Sequence, residues 1–267
     1  MLRPRPSQAW HRKKPKVYPS EGRCIYCGKG GQDHFLTREH VIPKGLAGPL
    51  LFLKASCKAC GAITGRFEEE CLRENFSIYR AIAKFPSTRP PLQGPRILCL
   101  PELPPPGILV GRLPSTDLVC ERMLIWSGFD PSEQPFRETS LHFNWPAFFR
   151  MLAKIGHGYA VGQLGIDSFV HLLPQVILGD RPNLAQYLVG LSERPYYSLP
   201  GEPPEDDPLD PTYTSHETYI RFKLHKSDIL AIAGVRLFAP HGAPFYECVA
   251  GPLTPAGRAR HGQPLSN

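Results

Sequence analysis

Two pairs of cysteines with the same spacing constrain this chain more than any other feature of its sequence. Each pair has two residues between its thiols, and the pairs are Cys24 with Cys27 and Cys57 with Cys60. Two such pairs can close a tetrahedral site around one zinc ion. A glycine follows each pair, Gly28 and Gly61, and allows the backbone to fold tightly beside a metal. The spacing therefore predicts a structural zinc site, with unpaired buried thiols or a redox-active pair as the alternatives.

The rest of the sequence favours thiols and metal ligands over disulfide bonds. No apolar run reaches the roughly 18 residues of a membrane span, and residues 1–16 lack the apolar core of a secretory signal. We therefore expect a cytoplasmic protein, in which disulfide bonds are rare. The other four of the eight cysteines are predicted to lie in apolar cores: Cys71, Cys99, Cys120 and Cys248.

A carboxylate beside a histidine lies between the two cysteine pairs, in the sequence Thr-Arg-Glu-His-Val-Ile-Pro-Lys of residues 37–44. Adjacent strand residues point to opposite faces, so Glu39 and His40 can meet at one phosphate only at a strand end or bend. Pro43 and Gly45 suit such a turn. A carboxylate-bound metal ion can polarise a phosphoryl oxygen while a neutral imidazole takes a proton from water. The motif thus indicates metal-assisted hydrolysis.

Composition divides the chain into an arm, two domains and a linker. Residues 1–21 are predicted to be a basic, proline-rich disordered arm. Residues 22–85 hold the cysteine pairs and end in a predicted helix over residues 65–85, whose apolar positions recur on one face. Prolines interrupt residues 86–95, which are predicted to be a linker. Residues 96–267 form a larger domain whose role the sequence does not indicate.

The second domain is predicted to be mixed α+β with an antiparallel sheet, so the fold class is α+β. Helices are expected over residues 145–159, with Pro146 in the first turn, and over residues 169–178, interrupted by Pro174. Gly156 and Gly158 should weaken the end of the first helix. The strand candidates are residues 96–100, 107–113, 123–129, 220–224, 229–238 and 245–249. The last three should form a meander, and residues 200–211 an exposed acidic loop.

Positive charge is concentrated at the N-terminus. Residues 1–16 carry six Lys or Arg and no acid, residues 17–85 carry ten basic and seven acidic residues, and residues 86–267 carry fifteen and seventeen. A basic arm beside a mildly basic domain suits a polyanion, because cations that contact phosphates release counterions. A solvated tail without a role is the alternative for the arm taken alone.

Residues 23–85 resemble the HNH endonuclease superfamily, the ββα-metal nucleases. The resemblance rests on CIYC, then TREHVIPKGLAG, then CKAC at the start of a helix, and it covers about a quarter of the chain. It is closest to the subgroup with a Glu-His-x-Ile-Pro motif between two zinc-binding C-x-x-C pairs. It also extends to phage junction-resolving nucleases of the endonuclease VII type. The fold that it implies is a zinc-stapled ββα-metal domain.

The resemblance assigns a role to each motif. His40 corresponds to the general base, and Glu39 corresponds to a ligand of the catalytic Mg²⁺ or Mn²⁺. The paired cysteines correspond to the ligands of a structural Zn²⁺. The reaction that these roles imply is hydrolysis of phosphodiester bonds in DNA, which leaves 5′-phosphate and 3′-hydroxyl ends.

The sequence departs from the family pattern at Gly61. Members of the family commonly carry Asn or His directly after the last zinc cysteine, where the side chain completes the catalytic metal site. Thr64 and Glu68 follow on a similar helical face and are candidates to replace it. Water is a third candidate, because Mg²⁺ usually keeps several waters. The site is therefore expected to be intact with altered ligands, weakened or inactive.

Arg38, Lys44 and His34 flank the motif and are candidates for contacts with the substrate. The sequence predicts a metal-dependent HNH endonuclease that acts on DNA, with RNA as an open alternative and no membrane partner. The second domain is expected to recognise the target, a protein partner or a second copy of the chain. The alternative function is a zinc-containing module that binds nucleic acid after losing catalysis at Gly61. A zinc-scaffold interaction protein without nucleic acid is a third option, against which the basic arm argues.

Overall fold

A computed structural model of the chain describes much of residues 16–80 and parts of residues 144–261. The described residues are 16–30, 35–48, 50–76, 80, 144–191, 213–214, 218–224, 230–237 and 246–261. Several predictions fall outside them: the linker, the first three strand candidates, the acidic loop, His34, Cys99 and Cys120.

The N-terminal unit is a small sheet followed directly by a helix. Its strands are β1 (Lys16–Tyr18), β2 (Leu36–His40) and β3 (Leu50–Cys57), in the order β1-β3-β2. β3 runs antiparallel to β2 and parallel to β1. Helix α1 (Lys58–Glu70) leads into a π-helical turn, Cys71–Asn75. The succession β2-β3-α1 is the ββα order that the resemblance implies.

Strand β1 lies inside the segment that its prolines assigned to the disordered arm, and for residues 16–18 that expectation is corrected. Tyr18 is buried, and its ring centroid lies 5.0 Å from that of Phe52. Prolines are tolerated at the ends of an edge strand, so those at positions 15 and 19 limit β1 without preventing it. Burial of one aromatic ring attaches the strand to the sheet.

Helix α1 begins at Lys58, in the CKAC segment as the resemblance implies, and not at residue 65, where the apolar pattern begins. Cys57 occupies the N-cap position in an extended conformation, so the helix starts inside the second cysteine pair. The apolar period that was used for the prediction starts only at Phe67, which is buried. Because Lys58 and Ala59 are exposed and Gly61 is only half-buried, the first turn shows no apolar repeat.

The described residues from Asn144 onwards contain a long helix and a five-stranded sheet. Its helices are α2 (Trp145–Leu164), α3 (Leu173–Leu178), α4 (Ala185–Leu188) and α5 (Pro255–His261). Its strands are β4 (Val189–Leu191), β5 (Tyr213–Thr214), β6 (Thr218–Leu224), β7 (Leu230–Leu237) and β8 (Tyr246–Pro252). The sheet order is β4-β8-β7-β6-β5, with every described pair antiparallel. The predicted meander is therefore confirmed as β6-β7-β8.

Two predicted helix features are corrected. Gly156 and Gly158 do not end α2, which continues to Leu164. A Cβ at Gly156 would lie 2.5 Å from the Cβ of Cys248, so this glycine allows the helix to approach β8 closely. Pro174 lies in the first turn of α3, where its missing N–H leaves no hydrogen bond unmade. It starts that helix and does not interrupt it.

Helix α2 joins the two halves of the described structure. It packs against β7 and β8 on one side and against α1 on another, and a single hydrophobic cluster extends from Tyr18 to Leu253. Asn75 accepts a hydrogen bond from Asn144 N (2.8 Å) and donates one to Asn144 O (3.1 Å), which fixes the start of α2 beside the π-helical turn. Within the described ranges, no helix has the length and apolar composition needed to cross a membrane.

Candidate active site and cysteine cluster

The four paired cysteines meet where β3 passes into α1, and we call them the cysteine cluster. Their sulfur atoms all lie within 4.8 Å of one another, and Cys27 Sγ is 3.8 Å from Cys57 Sγ. Four sulfurs each roughly 2.3 Å from a central zinc ion would be about 3.8 Å apart. The cysteine cluster could therefore hold a metal ion, and its geometry is consistent with zinc.

Different backbone features hold the two halves of the cysteine cluster. In the first pair, Gly28 N donates to Cys24 O (2.9 Å), and Cys24 N donates to Lys29 O (2.7 Å). Gly28 has a φ of 72°, a backbone conformation that residues with a side chain rarely adopt. In the second pair, Cys57 ends β3 and Cys60 lies in the first turn of α1. A tight turn and a strand–helix junction thus bring the thiols together.

A cleft of about 340 Å³ lies between β2 and α1. Its walls are formed by Thr37, Arg38, Glu39, His40, Lys44, Lys58, Gly61, Thr64, Gly65 and Glu68. Both Glu39 and His40 reach it because His40 is the last residue of β2, after which the chain bends. The pairing of β2 with β3 also shifts register between Thr37 and Glu39. The strand end that the sequence required is therefore present.

One face of α1 forms the opposite wall. Gly61, Thr64, Gly65 and Glu68 recur at helical spacing and all line the cleft. Gly61 contributes no side chain, and the hydroxyl of Thr64 donates to Gly61 O at 3.3 Å. Glu68 is the member of this face that brings a carboxylate to the cleft. The two candidates proposed to replace the missing ligand thus lie on the expected face.

Lys154 of α2 enters this site from outside the N-terminal unit. Its side chain is 1% exposed, and its Nζ lies 2.8 Å from Glu39 Oε1. The same ammonium forms an ion pair with Glu68 Oε1 and donates to the main-chain oxygen of His40. We call Glu39, Glu68 and Lys154 the lysine–carboxylate cluster. Burial alone would lower the pKa of Lys154, but the two carboxylates outweigh it and raise the pKa to about 12.

The electrostatic surroundings of His40 favour its neutral form. Burial lowers the pKa of His40, and Lys154 lowers it further, while Glu39 partly opposes the shift. Its Nδ1 is buried and has no hydrogen-bond partner among the described residues. Burial also raises the pKa of Glu68, an effect that Lys154 partly offsets. A neutral imidazole at neutral pH is the form that can accept a proton from water.

The mouth of the cleft is positively charged. Arg38 and Lys44, both predicted from the sequence, are exposed there, and Lys58 joins them at the start of α1. Lys58 and Lys154 were not among the site residues predicted from the sequence. The sequence does contain an indication of Lys154, because this lysine stands between Ala153 and Ile155 in a mostly apolar segment. Both neighbours are fully buried in the structure. Its partners could not be identified without the fold.

The catalytic divalent ion that the resemblance implies does not fit the carboxylates as they stand. Glu39 and Glu68 both bind the ammonium of Lys154, and Gly61 offers no side chain. An ion placed between the two carboxylates would have to displace a buried cation. The requirement for Mg²⁺ or Mn²⁺ therefore stays a prediction.

Comparison with known families identifies part of the chain. Residues 24–77 match the family model described as HNH endonuclease. We call this segment the HNH domain. It contains the cysteine cluster and all the residues named above as walls of the cleft, whereas Lys154 lies outside it. A search of curated proteins and of solved structures found no match. The HNH domain suggests a nuclease or nucleic-acid-binding role, while the narrower subgroup stays a prediction.

Proposed function

We propose that this chain is an endonuclease that hydrolyses phosphodiester bonds in DNA, with His40 as the general base. The observation that carries the proposal is the meeting of His40 with exposed cations at one cleft of the HNH domain. Arg38, Lys44 and Lys58 line the mouth of the cleft, where a phosphate backbone can dock. His40 accepts a proton from the attacking water, and the products carry 5′-phosphate and 3′-hydroxyl ends.

Two metal requirements belong to this proposal. The cysteine cluster holds Zn²⁺, which links β3 and α1 to the first cysteine loop and so fixes both walls of the cleft. The resemblance further implies Mg²⁺ or Mn²⁺ bound by Glu39. Lys154 is paired with that carboxylate, so the proposed role of His40 does not depend on such an ion. Cleavage with either ion or with a chelator measures the requirement directly.

A second candidate function is a zinc-containing module that binds nucleic acid without cutting it. Two observations favour it. Gly61 replaces the usual Asn or His, and the carboxylates that would hold a catalytic ion are paired with Lys154. Neither of these two features changes the positive charge at the mouth of the cleft. Both candidate functions therefore include binding of nucleic acid, and only the first includes its cleavage.

Substitution of His40 tests the first proposal. With Mg²⁺ or Mn²⁺ present, the wild-type protein should nick or cut DNA, and His40→Ala should reduce the rate about 10²–10⁴-fold. Zinc content and DNA affinity should stay nearly unchanged, because His40 is not one of the thiolates. His171→Ala is a matched control, since it removes an imidazole outside the HNH domain and should retain cleavage.

Binding of DNA without cleavage would favour the second function. A wild-type protein that binds DNA but leaves linear, supercoiled and branched substrates intact with both ions would be a binding module. Equal cleavage by wild type and His40→Ala would instead remove His40 from the chemistry while leaving a nuclease. A preference for RNA substrates in the same assays would correct the substrate class.

Deletion of residues 1–15 tests the contribution of the arm to binding. This deletion removes five of the six arm cations and keeps Lys16 in β1. Each lost phosphate contact should reduce the log–log salt slope for duplex DNA by about 0.9. Fluorescence anisotropy at several salt concentrations measures the slope. An unchanged affinity and slope would mean that the arm does not contact DNA.

A further inference from the structure

Lys154 is a buried charge that reaches the cleft from outside the HNH domain. It belongs to α2, which is held in place by close packing against α1, β7 and β8. Most residues in the middle of α2 are buried, including both neighbours of Lys154. A lysine is almost never fully buried unless it is paired. Its partners therefore indicate why it lies at this position.

The ammonium of Lys154 has three oxygen neighbours. It forms ion pairs with Glu39 Oε1 on β2 and Glu68 Oε1 on α1, and it donates a hydrogen bond to the main-chain oxygen of His40. The three oxygens come from both walls of the cleft. Lys154 thus connects the strand that carries the proposed base to the helix opposite it.

The same donors are those that a hard divalent cation prefers. Mg²⁺ binds carboxylate and carbonyl oxygens, and here two carboxylates and one carbonyl surround an ammonium. A divalent ion between Glu39 and Glu68 would lie close to a fixed positive charge, and buried like charges repel strongly. Removing Lys154 from this position would leave the buried carboxylate of Glu39 and the half-buried carboxylate of Glu68 without a counter-charge, which is costly. Lys154 and a divalent ion are therefore alternatives at this pair of carboxylates.

We propose that Lys154 is the resident cation of the cleft: it holds Glu39 and Glu68 in place of a divalent ion and positions His40 at the end of β2. The free protein then has no tight divalent-ion site at these carboxylates. The part of this proposal that concerns the positioning of His40 rests on the proposed nuclease function. The exclusion of a divalent ion from Glu39 and Glu68 does not depend on that function.

Manganese binding to the full-length, zinc-loaded protein without nucleic acid tests the proposal. Electron paramagnetic resonance measures the fraction of free Mn²⁺ during a titration. Wild type and Glu39→Gln should bind Mn²⁺ equally weakly. Lys154→Met should gain one site about tenfold or more tighter, because it removes a unit positive charge beside the ion. Adding Glu39→Gln and Glu68→Gln to Lys154→Met should abolish that site.

Lys154→Arg is the conservative control. It keeps the positive charge and should bind Mn²⁺ as weakly as wild type, whereas a purely structural role would not link Mn²⁺ affinity to charge. A wild-type Mn²⁺ site of the same affinity as that of Lys154→Met, lost in Glu39→Gln, would overturn the proposal. If Lys154→Met does not fold, the comparison of wild type with Glu39→Gln decides alone. A protein that never cuts DNA gives the same binding results, so the two proposals fail independently.

Discussion

The cysteine cluster and the lysine–carboxylate cluster both bring negatively charged or ionisable side chains close together. They differ in the source of the cation that neutralises them. Each collects anionic or potentially anionic side chains from a loop or strand and from α1. The cysteine cluster contains no basic side chain, so thiolates there need a cation from solution. The lysine–carboxylate cluster carries its own cation on α2.

The two clusters therefore depend on different sources of stability. The cysteine cluster depends on an ion that the chain can lose, and all its ligands lie within 37 residues of one another. The lysine–carboxylate cluster depends on the packing of α2, 86 residues beyond Glu68 in the sequence. Loss of metal should affect the first strongly, whereas a change of charge on α2 should affect the second. The predictions below separate these two dependencies.

Metal removal should have the largest effect. We expect one zinc per chain, and chelation or Cys60→Ser should unfold the N-terminal unit, since structural zinc sites contribute about 10–16 kcal/mol. Metal analysis and circular dichroism with and without chelator measure this. Cys71→Ala is a matched control, because Cys71 is buried outside the cluster and its variant should keep zinc. Protein that contains no zinc and resists chelation would contradict the zinc prediction.

Lys154→Met should have the next largest effect on stability. Breaking a buried ion pair on one side costs about 3–5 kcal/mol, and here two carboxylates lose their partner. Lys154→Met combined with Glu39→Gln and Glu68→Gln should recover most of that loss, because no buried charge remains. Urea unfolding of the zinc-loaded proteins measures both changes. Equal losses in the single and triple variants would show that packing, and not charge, is responsible.

Asn75→Ala tests a connection between α2 and the N-terminal unit that involves no charge. It removes both hydrogen bonds to the main chain of Asn144, and unsatisfied buried groups cost about 1–3 kcal/mol. Unfolding by urea measures this loss. Mn²⁺ binding should stay as weak as in wild type, since Lys154 keeps its partners. A new Mn²⁺ site in Asn75→Ala would mean that the position of α2, rather than its charge, excludes the ion.

The smallest expected effect is the change in folding stability that His157 causes over a single pH unit. His157 Nε2 donates to Ile25 O (2.7 Å) inside the first cysteine loop, so α2 supports the cysteine cluster through a neutral group. Burial, together with nearby His171, lowers the pKa of His157 to about 3, although the bond to Ile25 opposes this. The unfolded histidine titrates near a pKa of about 6.5.

The sign of the effect follows from those two values. Below the unfolded pKa, the unfolded chain binds a proton that the folded chain does not, so stability falls as pH drops from about 6.5 towards 3. The slope should be about 1.4 kcal/mol per pH unit. His157→Asn should lower that slope in urea unfolding between neutral and mildly acidic pH. Parallel pH profiles for the two proteins would show that His157 does not control acid stability.

Local spacing in the sequence was enough to predict several parts of this protein. Two C-x-x-C pairs specified the cysteine cluster, because each pair needs only one turn to place its sulfurs together. The order of Glu39 and His40 required a strand end, and β2 ends at His40. The meander and Pro146 in the first turn of α2 followed from strand and helix patterns.

The contacts between charged residues depend on how distant segments pack together. Lys154 has no sequence neighbour that marks its partners, and its contact with Glu39 depends on where α2 packs against α1. Strand β1 likewise exists because Tyr18 packs on Phe52 and beside Gly162, where a Cβ would lie 2.6 Å from the tyrosine ring. Local patterns encode turns and faces, but a long-range contact depends on the shape and charge of two surfaces together. The cation that neutralises the carboxylates of the cleft is therefore a property of the fold.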